Sequence, residues 1–386
     1  MTSLQTPLAD LLFNRDKVAQ LAAEIGSVHR AFQRDAFVEE VMGRLRSLRL
    51  KERIRWISEC LERHLPQDYR SAVHVLLAAL PPPCDPTLSD GDSGDFIYAS
   101  FSSYVARRGC GEADVNFSLT ALKEITTRFS AEDSIRTFIN AYPDYTMNTL
   151  LQWTSDKHYH VRRLCSEGTR PRLPWASRLA LPTTAGLPIL DRLYADPTRF
   201  VTRSVANHLN DITKTDPDAV VETLQRWRNS GNQTEPELDY IVRHATRSLV
   251  KVGHRGALEL LGVGVSEPIA VSRFEVPRHV QLDSELPLSV TIRGKQDTEA
   301  IVDYVVHFQG ASGRLTRRKV YKLRRITLPA GKDVTITKRH PIRSNMTTRA
   351  IYPGRHEIEV LVNGTVQARR EFWIRESEPS ADVMEK

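Results

Sequence analysis

Residues 156–168 read DKHYHVRRLCSEG, which places an acid, two histidines, a tyrosine, an arginine pair and a cysteine within thirteen positions. Such a set could form a metal centre, an active site or one turn of a repetitive scaffold. The histidines, His158 and His160, stand two apart. That spacing fits neither the i,i+4 geometry of helical metal ligands nor a nearby cysteine partner, so no metal is expected. The four cysteines (Cys60, Cys84, Cys110, Cys165) are scattered without CxxC spacing. That pattern fits a reducing cytosol and excludes a disulfide framework or a zinc site.

The elements that carry these residues repeat. Forty positions after Arg163 stands Arg203, and forty further stands Arg243. His160, Phe200 and Tyr240 follow the same step, as do Val161, Val201 and Ile241; Asp156 has its counterpart in Asp196, and Lys123 lies one period before Arg163. A period of about 40 residues with helical content marks HEAT-like helical repeats. Cys165 aligns with Val205 and Ala245, which makes it a core thiol and a poor nucleophile. Asp156 and Asp196 read as caps or first-turn acids. The recurring arginine either pairs locally, as Arg163 with Glu167 one turn on, or contributes to a row of cations on a concave face.

Helical spacing runs through residues 15–32, 34–65 and 68–80, with Asp35 and Asp68 as N-terminal acids. PPPCDPTLSDGDSGD, at 81–95, is a loop, and helices resume near Phe96 and continue to about Leu261. Then the period changes to two. PIAVSRFEVPRHVQLDSELPLSVTIRG, AIVDYVVHFQG, RLTRRKVYKLRRITLPAG and GRHEIEVLVNGTVQARREFWI are rich in Val, Ile and Thr and are punctuated by Gly and Pro. About seven short strands here match an immunoglobulin-like sandwich, and VLVNGTV is a hairpin with a two-residue Asn-Gly turn. The expected fold is thus mainly α: a HEAT-like helical repeat solenoid over residues 1–265, a small all-β sandwich over 266–376, and a disordered tail over 377–386.

Charge follows the same division. Residues 1–267 hold 33 Lys/Arg against 33 Asp/Glu, residues 268–375 hold 20 against 10, and the last eleven hold one against four. Cation confined to one segment points to a polyanionic partner, nucleic acid before membrane. RLTRRKVYKLRR, at 314–325, has seven cations in twelve positions. As a strand it places Arg318, Val320, Lys322 and Arg324 on one face, and Arg317, Lys319, Tyr321, Leu323 and Arg325 on the other. Mixed faces predict an edge strand, whose cations guard against edge pairing or contact phosphates. No run of apolar residues is long enough for a transmembrane helix and no signal peptide is read, so the expectation is a cytoplasmic protein that does not engage membranes.

Four stretches, LKERIRWISECLERHLP, EITTRFSAEDSIRTFI, DKHYHVRRLCSEGTRPRLPW and FVTRSVANHLNDITKTDPDAV, resemble the AlkC branch of the AlkC/AlkD DNA alkylation repair glycosylases. The resemblance covers about residues 1–260, and the C-terminal domain is similar to an extension found in part of that branch. FVTRSVANHLNDITK is also similar to an AlkD segment whose helix carries a DNA-contacting tryptophan; Asn207 stands at that position here.

The resemblance implies excision of cationic alkylated bases, of the 3-methyladenine type, from double-stranded DNA without any cofactor, by a monomer. Alkylation makes the base a good leaving group, and a carboxylate can stabilise the oxocarbenium-like sugar and orient water. Asp156 is the first choice for that carboxylate, Glu124 the second and Glu132 the third. DNA contacts are expected from Trp153, Tyr159, His160, Arg162, Arg163, Arg170, Arg172, Trp175, Arg203, Asn207 and Arg243, and from Arg317, Arg318, Lys319, Lys322, Arg324 and Arg325 of the basic strand. The alternative is a non-catalytic repeat protein that binds damaged DNA or a protein partner.

Overall fold

The computed structural model describes residues 7–87, 93–263, 269–344 and 350–376. Its contacts divide into two compact units, one running to Asp216 and including Trp227–Ala245, the other made of Pro217–Arg226 and the chain from Thr246 onward. The sequence-based boundary at 265/266 and the tail at 377–386 lie outside the described residues, as does part of the 81–95 loop.

The helices in chain order are α1 (Leu8–Leu12), α2 (Arg15–Val28), α3 (Arg34–Leu45), α4 (Leu50–His64), α5 (Tyr69–Ala78), α6 (Ala99–Arg108), α7 (Val115–Thr126), α8 (Ile135–Ala141), α9 (Pro143–Trp153), α10 (Tyr159–Gly168), α11 (Leu187–Leu193), α12 (Arg199–Ile212), α13 (Pro217–Ser230), α14 (Glu235–Ala245), α15 (Arg247–Val250) and α16 (Arg255–Leu260). Asp68 caps α5 by accepting from Ser71 N at 2.8 Å, as its place in the sequence predicts. The stretch 34–65 is two helices, not one. Glu52 accepts from Arg49 N at 2.7 Å, which starts α4 afresh. Buried Arg53 then collects the carbonyls of Leu48, Ala9 and Phe13.

The 40-residue period is a stack of helices: α7 packs on α10, α10 on α12, and α12 on α14. The positions that recur are the ones that fill the stack. Cys165, Val205 and Ala245 are buried, as are Val161, Val201 and Ile241. Asp156 and Asp196 act alike. Each accepts from the backbone N–H two residues on, His158 N and Thr198 N, both at 2.8 Å. Burial drives the Cys165 thiol far above its ordinary range, consistent with an inert core residue.

In the second unit, β1 (Ile269–Glu275), β3 (Glu285–Gly294) and β6 (Asp333–Pro341) form one sheet in the order β1-β3-β6. The other sheet runs β2-β8-β7-β4-β5, from β2 (His279–Gln281), β8 (Thr365–Arg375), β7 (Gly354–Val362), β4 (Thr298–Gln309) and β5 (Leu315–Leu328). Leu286, Leu288, Val290 and Ile292 alternate inward from β3 and join one core with Val302, Tyr304, Val306 and Phe308 of β4. The β7–β8 turn is Asn363-Gly364, with φ of 51° and 78°, the left-handed pair of a two-residue hairpin. A Cβ on Gly364 would lie 2.2 Å from the Gly253 backbone, so glycine is required there twice over.

The basic segment is β5, an edge strand paired with β4 alone. Its faces differ from the alternation read in sequence. Val302 pairs with Arg324 and Asp303 with Lys322, so Leu323 is the extra residue of a bulge. The bulge exchanges the last two arginines. Arg324 shares the face of the core residue Val302, while Arg325 joins Lys322 and Arg318 on the outer face and pairs with Glu299 at 2.7 Å.

Candidate active site and nucleic-acid interface

The three sequence-selected carboxylates sit in different environments. Asp156 holds Lys123 Nζ at 2.6 Å while its other oxygen accepts from His158 N; the N-cap of α10 is His158, not the acid expected from the sequence. Burial pushes its carboxyl up, but the Lys123 ammonium and the His158 N–H outweigh burial and hold it below the ordinary range. Lys123 also lies 5.7 Å from the centre of the Trp153 ring. Asp156 is thus an ionised carboxylate paired with Lys123. Glu124 is half-exposed and pairs with Arg128 one turn on. Glu132, ranked last, is buried where the other two are not.

Glu132 precedes α8 and accepts from Arg163 Nη1 at 2.8 Å and from the Ser130 hydroxyl at 2.5 Å. Arg163 Nη2 lies 3.7 Å from Glu167, which also takes Arg170 at 2.6 Å and the Ser204 hydroxyl at 2.6 Å. Arg170 continues to Asp211 at 2.8 Å. The bonded chain therefore alternates Glu132, Arg163, Glu167, Arg170, Asp211, carboxylates joined through guanidinium groups. Burying each ion costs several kcal/mol, on the order of 3 or more, unless its partners are well placed. The compensation is uneven. Burial raises the Glu132 carboxyl above its ordinary range, with Arg163 opposing and Glu167 reinforcing the rise. Burial pushes Glu167 the same way, but two arginines and Ser204 overcome it and its carboxyl lies below the ordinary range. Of the two acids that share Arg163, Glu132 is the one at which burial outweighs its partners.

Sequence reasoning misses Glu167 as a site residue. Its local pairing with Arg163, one helical turn away, accounts for it as scaffold. One signal points the other way: Glu167 lies in the last turn of α10, where the helix dipole disfavours an acid. Such a placement needs external cations, and Arg163 and Arg170 are those cations. His208 packs below, buried, its Nδ1–H donating to Ser166 O at 3.1 Å. Burial brings its pKa down to about 3, so it is a neutral neighbour.

Several expected DNA contacts change place. Tyr159 and His160 are 1% and 3% exposed and belong to the α7–α10–α12 core; His160 Nδ1 lies 3.1 Å from Thr126 O. They are corrected from contact residues to packing residues. Arg162 is corrected likewise. Its five N–H donors meet five acceptors: two on Asp196, the carbonyls of Asp156 and Lys157, and the Thr198 hydroxyl. Arg170 belongs to the charge network. Phe200 lies between Arg163 and Arg203, whose guanidinium carbons are 4.5 and 5.4 Å from its ring centre. Asn207, half-buried, meets His244 Nε2 at 2.9 Å. Arg172 and Arg243 are exposed, and Trp175 is 47% exposed.

On β5, Arg317, Arg318, Lys319, Lys322 and Arg324 are exposed. Arg325 differs: it is bound to Glu299 and to Leu261 O at 2.7 Å each. Among the described residues, His307, Glu357 and Glu359 bring potential metal-ligating atoms within 4.8 Å of one another. Arg369 pairs with Glu357 at 3.3 Å and Glu359 at 2.5 Å, and His307 Nε2 lies 3.1 Å from Glu359, so these acids are compensated without an ion. Among the described residues no helix is long and apolar enough to cross a membrane.

Three similarities to known proteins bear on this geometry. Residues 270–376 match a family model described as the C-terminal Ig-like domain of the uncharacterised protein YhaZ. The uncharacterized protein YhaZ of Bacillus subtilis (strain 168) is 31% identical over 376 residues, which is 95% of this chain and all of that protein. The structure of Pseudomonas fluorescens alkylpurine DNA glycosylase AlkC, bound to DNA containing an abasic site analog, superposes with a TM-score of 0.85 at 35% identity, covering 96% of this chain and 100% of that one.

Proposed function

The chain belongs to the AlkC branch of the AlkC/AlkD HEAT-like DNA glycosylases, and from that premise we propose that it removes cationic alkylated bases, of the 3-methyladenine type, from double-stranded DNA through the buried acids Glu132 and Glu167. It is a DNA repair enzyme, an N-glycosylase that hydrolyses the bond between an alkylated base and its sugar. The observation that supports this use of the acids is the Glu132–Arg163–Glu167 arrangement. A buried carboxylate with too little positive compensation binds a cation better than it binds nothing. The reaction supplies cations in sequence: the alkylated base first, then the sugar as the bond breaks.

Glu132 stabilises the oxocarbenium-like sugar and orients the attacking water. Glu167, held by two arginines, fixes Arg163 and thereby the Glu132 carboxylate. Departure of the base needs no proton, because it leaves neutral. Trp175, Arg172, Arg203 and Arg243 supply the aromatic and cationic surface of the helical unit for DNA. Arg317, Arg318, Lys319, Lys322 and Arg324 supply sequence-independent phosphate contacts from β5. The protein works as a monomer, and a chromosomal substrate places it in the cytoplasm at the nucleoid.

The test incubates the purified protein with methylated duplex DNA and identifies the bases released. Release of 3-methyladenine by the parent, lost in Glu132→Gln with DNA binding intact, is expected. No release by a folded parent that binds the DNA would leave a helical-repeat damage binder.

A further inference from the structure

Arg136 has the lowest exposure of the arginines among the described residues, and burial lowers its pKa. Its guanidinium donates to three main-chain carbonyls: Gly168 O at 3.1 Å, Arg170 O at 2.8 Å and Ser177 O at 2.5 Å. Two features make this more than core filling. Arg136 lies on α8, four residues after Glu132, and the Gly168 carbonyl it grips adjoins Glu167. One side chain therefore ties together the two backbone segments that carry the two acids. Its other two bonds hold the segment from Thr169 to Ala180, which carries Arg170, Arg172 and Trp175.

That segment has little regular structure of its own. Pro171 and Pro174 have no N–H to donate, and Ala176 N to Leu173 O, at 3.1 Å, is its main internal bond. Side chains from elsewhere hold it instead. Asn140, also on the α8 side of the unit, donates to Arg178 O at 2.9 Å and accepts from Ala180 N at 3.0 Å. Lys51 at the start of α4 donates to Trp175 O at 2.5 Å and pairs with Asp133, the residue after Glu132, at 2.9 Å. The result is an exposed tryptophan on a strap whose main chain is tacked down from beneath.

We propose that Arg136 is a positioning residue for base excision, aligning the strap that carries Trp175 with the Glu132–Glu167 pair. The inference rests on the glycosylase reading above. A guanidinium can serve three carbonyls in fixed directions; an ammonium at the end of a lysine cannot reproduce that fork. Misplacement of a contact by about 1 Å can slow a positioned reaction by about 100-fold.

The experiment is a mutant cycle on full-length protein, Arg136→Lys against Trp175→Ala, read as single-turnover base release from methylated duplex, with KM measured in parallel. Arg136→Lys is expected to slow release by about 10- to 100-fold with KM within about twofold, and the double variant to be no slower than the slower single. Fold-changes that multiply in the double variant would overturn the proposal. If Arg136→Lys does not fold, Asn140→Ala takes its place in the same cycle, with about a 3- to 10-fold loss expected and the same criterion.

A second readout is independent of activity. The Trp175 fluorescence, taken as the difference between proteins with and without Trp175→Phe, should become more open to acrylamide quenching in Arg136→Lys. Unchanged quenching shows that the strap stands without Arg136 and overturns the proposal. Absence of base release by the parent defeats the glycosylase reading and leaves this optical result to stand on its own.

Discussion

The cations of the helical unit and those of the β5 edge look alike in sequence and are opposites in structure. In RRLCSEGTR, Arg162, Arg163 and Arg170 are largely enclosed, and each is bonded to at least one carboxylate. In RLTRRKVYKLRR, Arg317, Arg318, Lys319, Lys322 and Arg324 stand in solvent. Buried charge is strong at short range because the dielectric is low, and it acts on one place. Exposed charge is screened within about 10 Å at 0.1 M salt, and it acts additively on a long polyanion. The first arrangement suits a chemical step and the second suits holding DNA. Substitutions in the two regions should therefore separate rate from affinity.

The largest separation is expected at Glu132. Glu132→Gln should lower the single-turnover rate by about 100- to 1,000-fold, the size of effect seen when one electrostatic stabiliser of a transition state is removed. DNA affinity should stay within about threefold. Thermal unfolding should show a smaller loss of stability than Glu167→Gln, because burial already penalises this carboxylate and Arg163 keeps Glu167. A parallel fall in affinity and rate would mean that Glu132 holds DNA like the β5 cations, and the contrast would collapse. Glu167→Gln should behave differently. It removes the carboxylate that Arg163 and Arg170 share, leaving them Glu132 and Asp211 alone among the bonded acids of this chain, and a cost of about 3 kcal/mol in unfolding free energy is expected from urea titration.

The pH dependence sharpens the same point. Glu132 titrates above its ordinary value in the folded protein. Activity that needs its carboxylate should rise as pH climbs through that raised value and level off above it. His208 remains neutral across this range, its pKa being about 3. Stability should move the other way: between the ordinary and the raised value the unfolded chain loses its proton first, so the native state binds more protons and stability falls as pH rises. Glu132→Gln should remove both slopes. A rate profile that keeps its rising limb in this variant would assign the limb to another group.

How much of this could be read from sequence follows from how local each feature is. The helical repeat was legible because a period of 40 returns the same burial at Cys165, Val205 and Ala245. The hairpin was legible because Asn363-Gly364 is self-contained. The β5 bulge was not, since cations on both faces leave the alternation unchanged whichever register is chosen. The acid network was not either. Glu132 meets Arg163 across 31 positions and Arg170 meets Asp211 across 41, so its members are ordinary charged residues until the stack assembles them. Asp156 drew notice for its crowded surroundings, and two of those neighbours, Lys123 and the His158 N–H, hold its carboxylate in the charged form.

The smallest effect should come from the exposed region. Arg317, Arg318 and Lys322, changed together to alanine, remove three exposed cations of β5. Each phosphate left without its cation should reduce the slope of log K against log salt by about 0.9, so the slope should fall by up to about 2.7 if all three engage. Affinity should weaken by several-fold at low salt and hardly at all at high salt, while the rate at saturating DNA stays put. Arg325→Ala is the internal control. It breaks the bonds to Glu299 and Leu261 and should lower stability slightly while leaving the salt slope almost unchanged. An equal slope change for Arg325→Ala and for each of the other β5 cations would mean that pairing with Glu299 does not distinguish the phosphate-binding residues, and that the bulge at Leu323, which turns Arg325 toward Glu299, has no bearing on DNA.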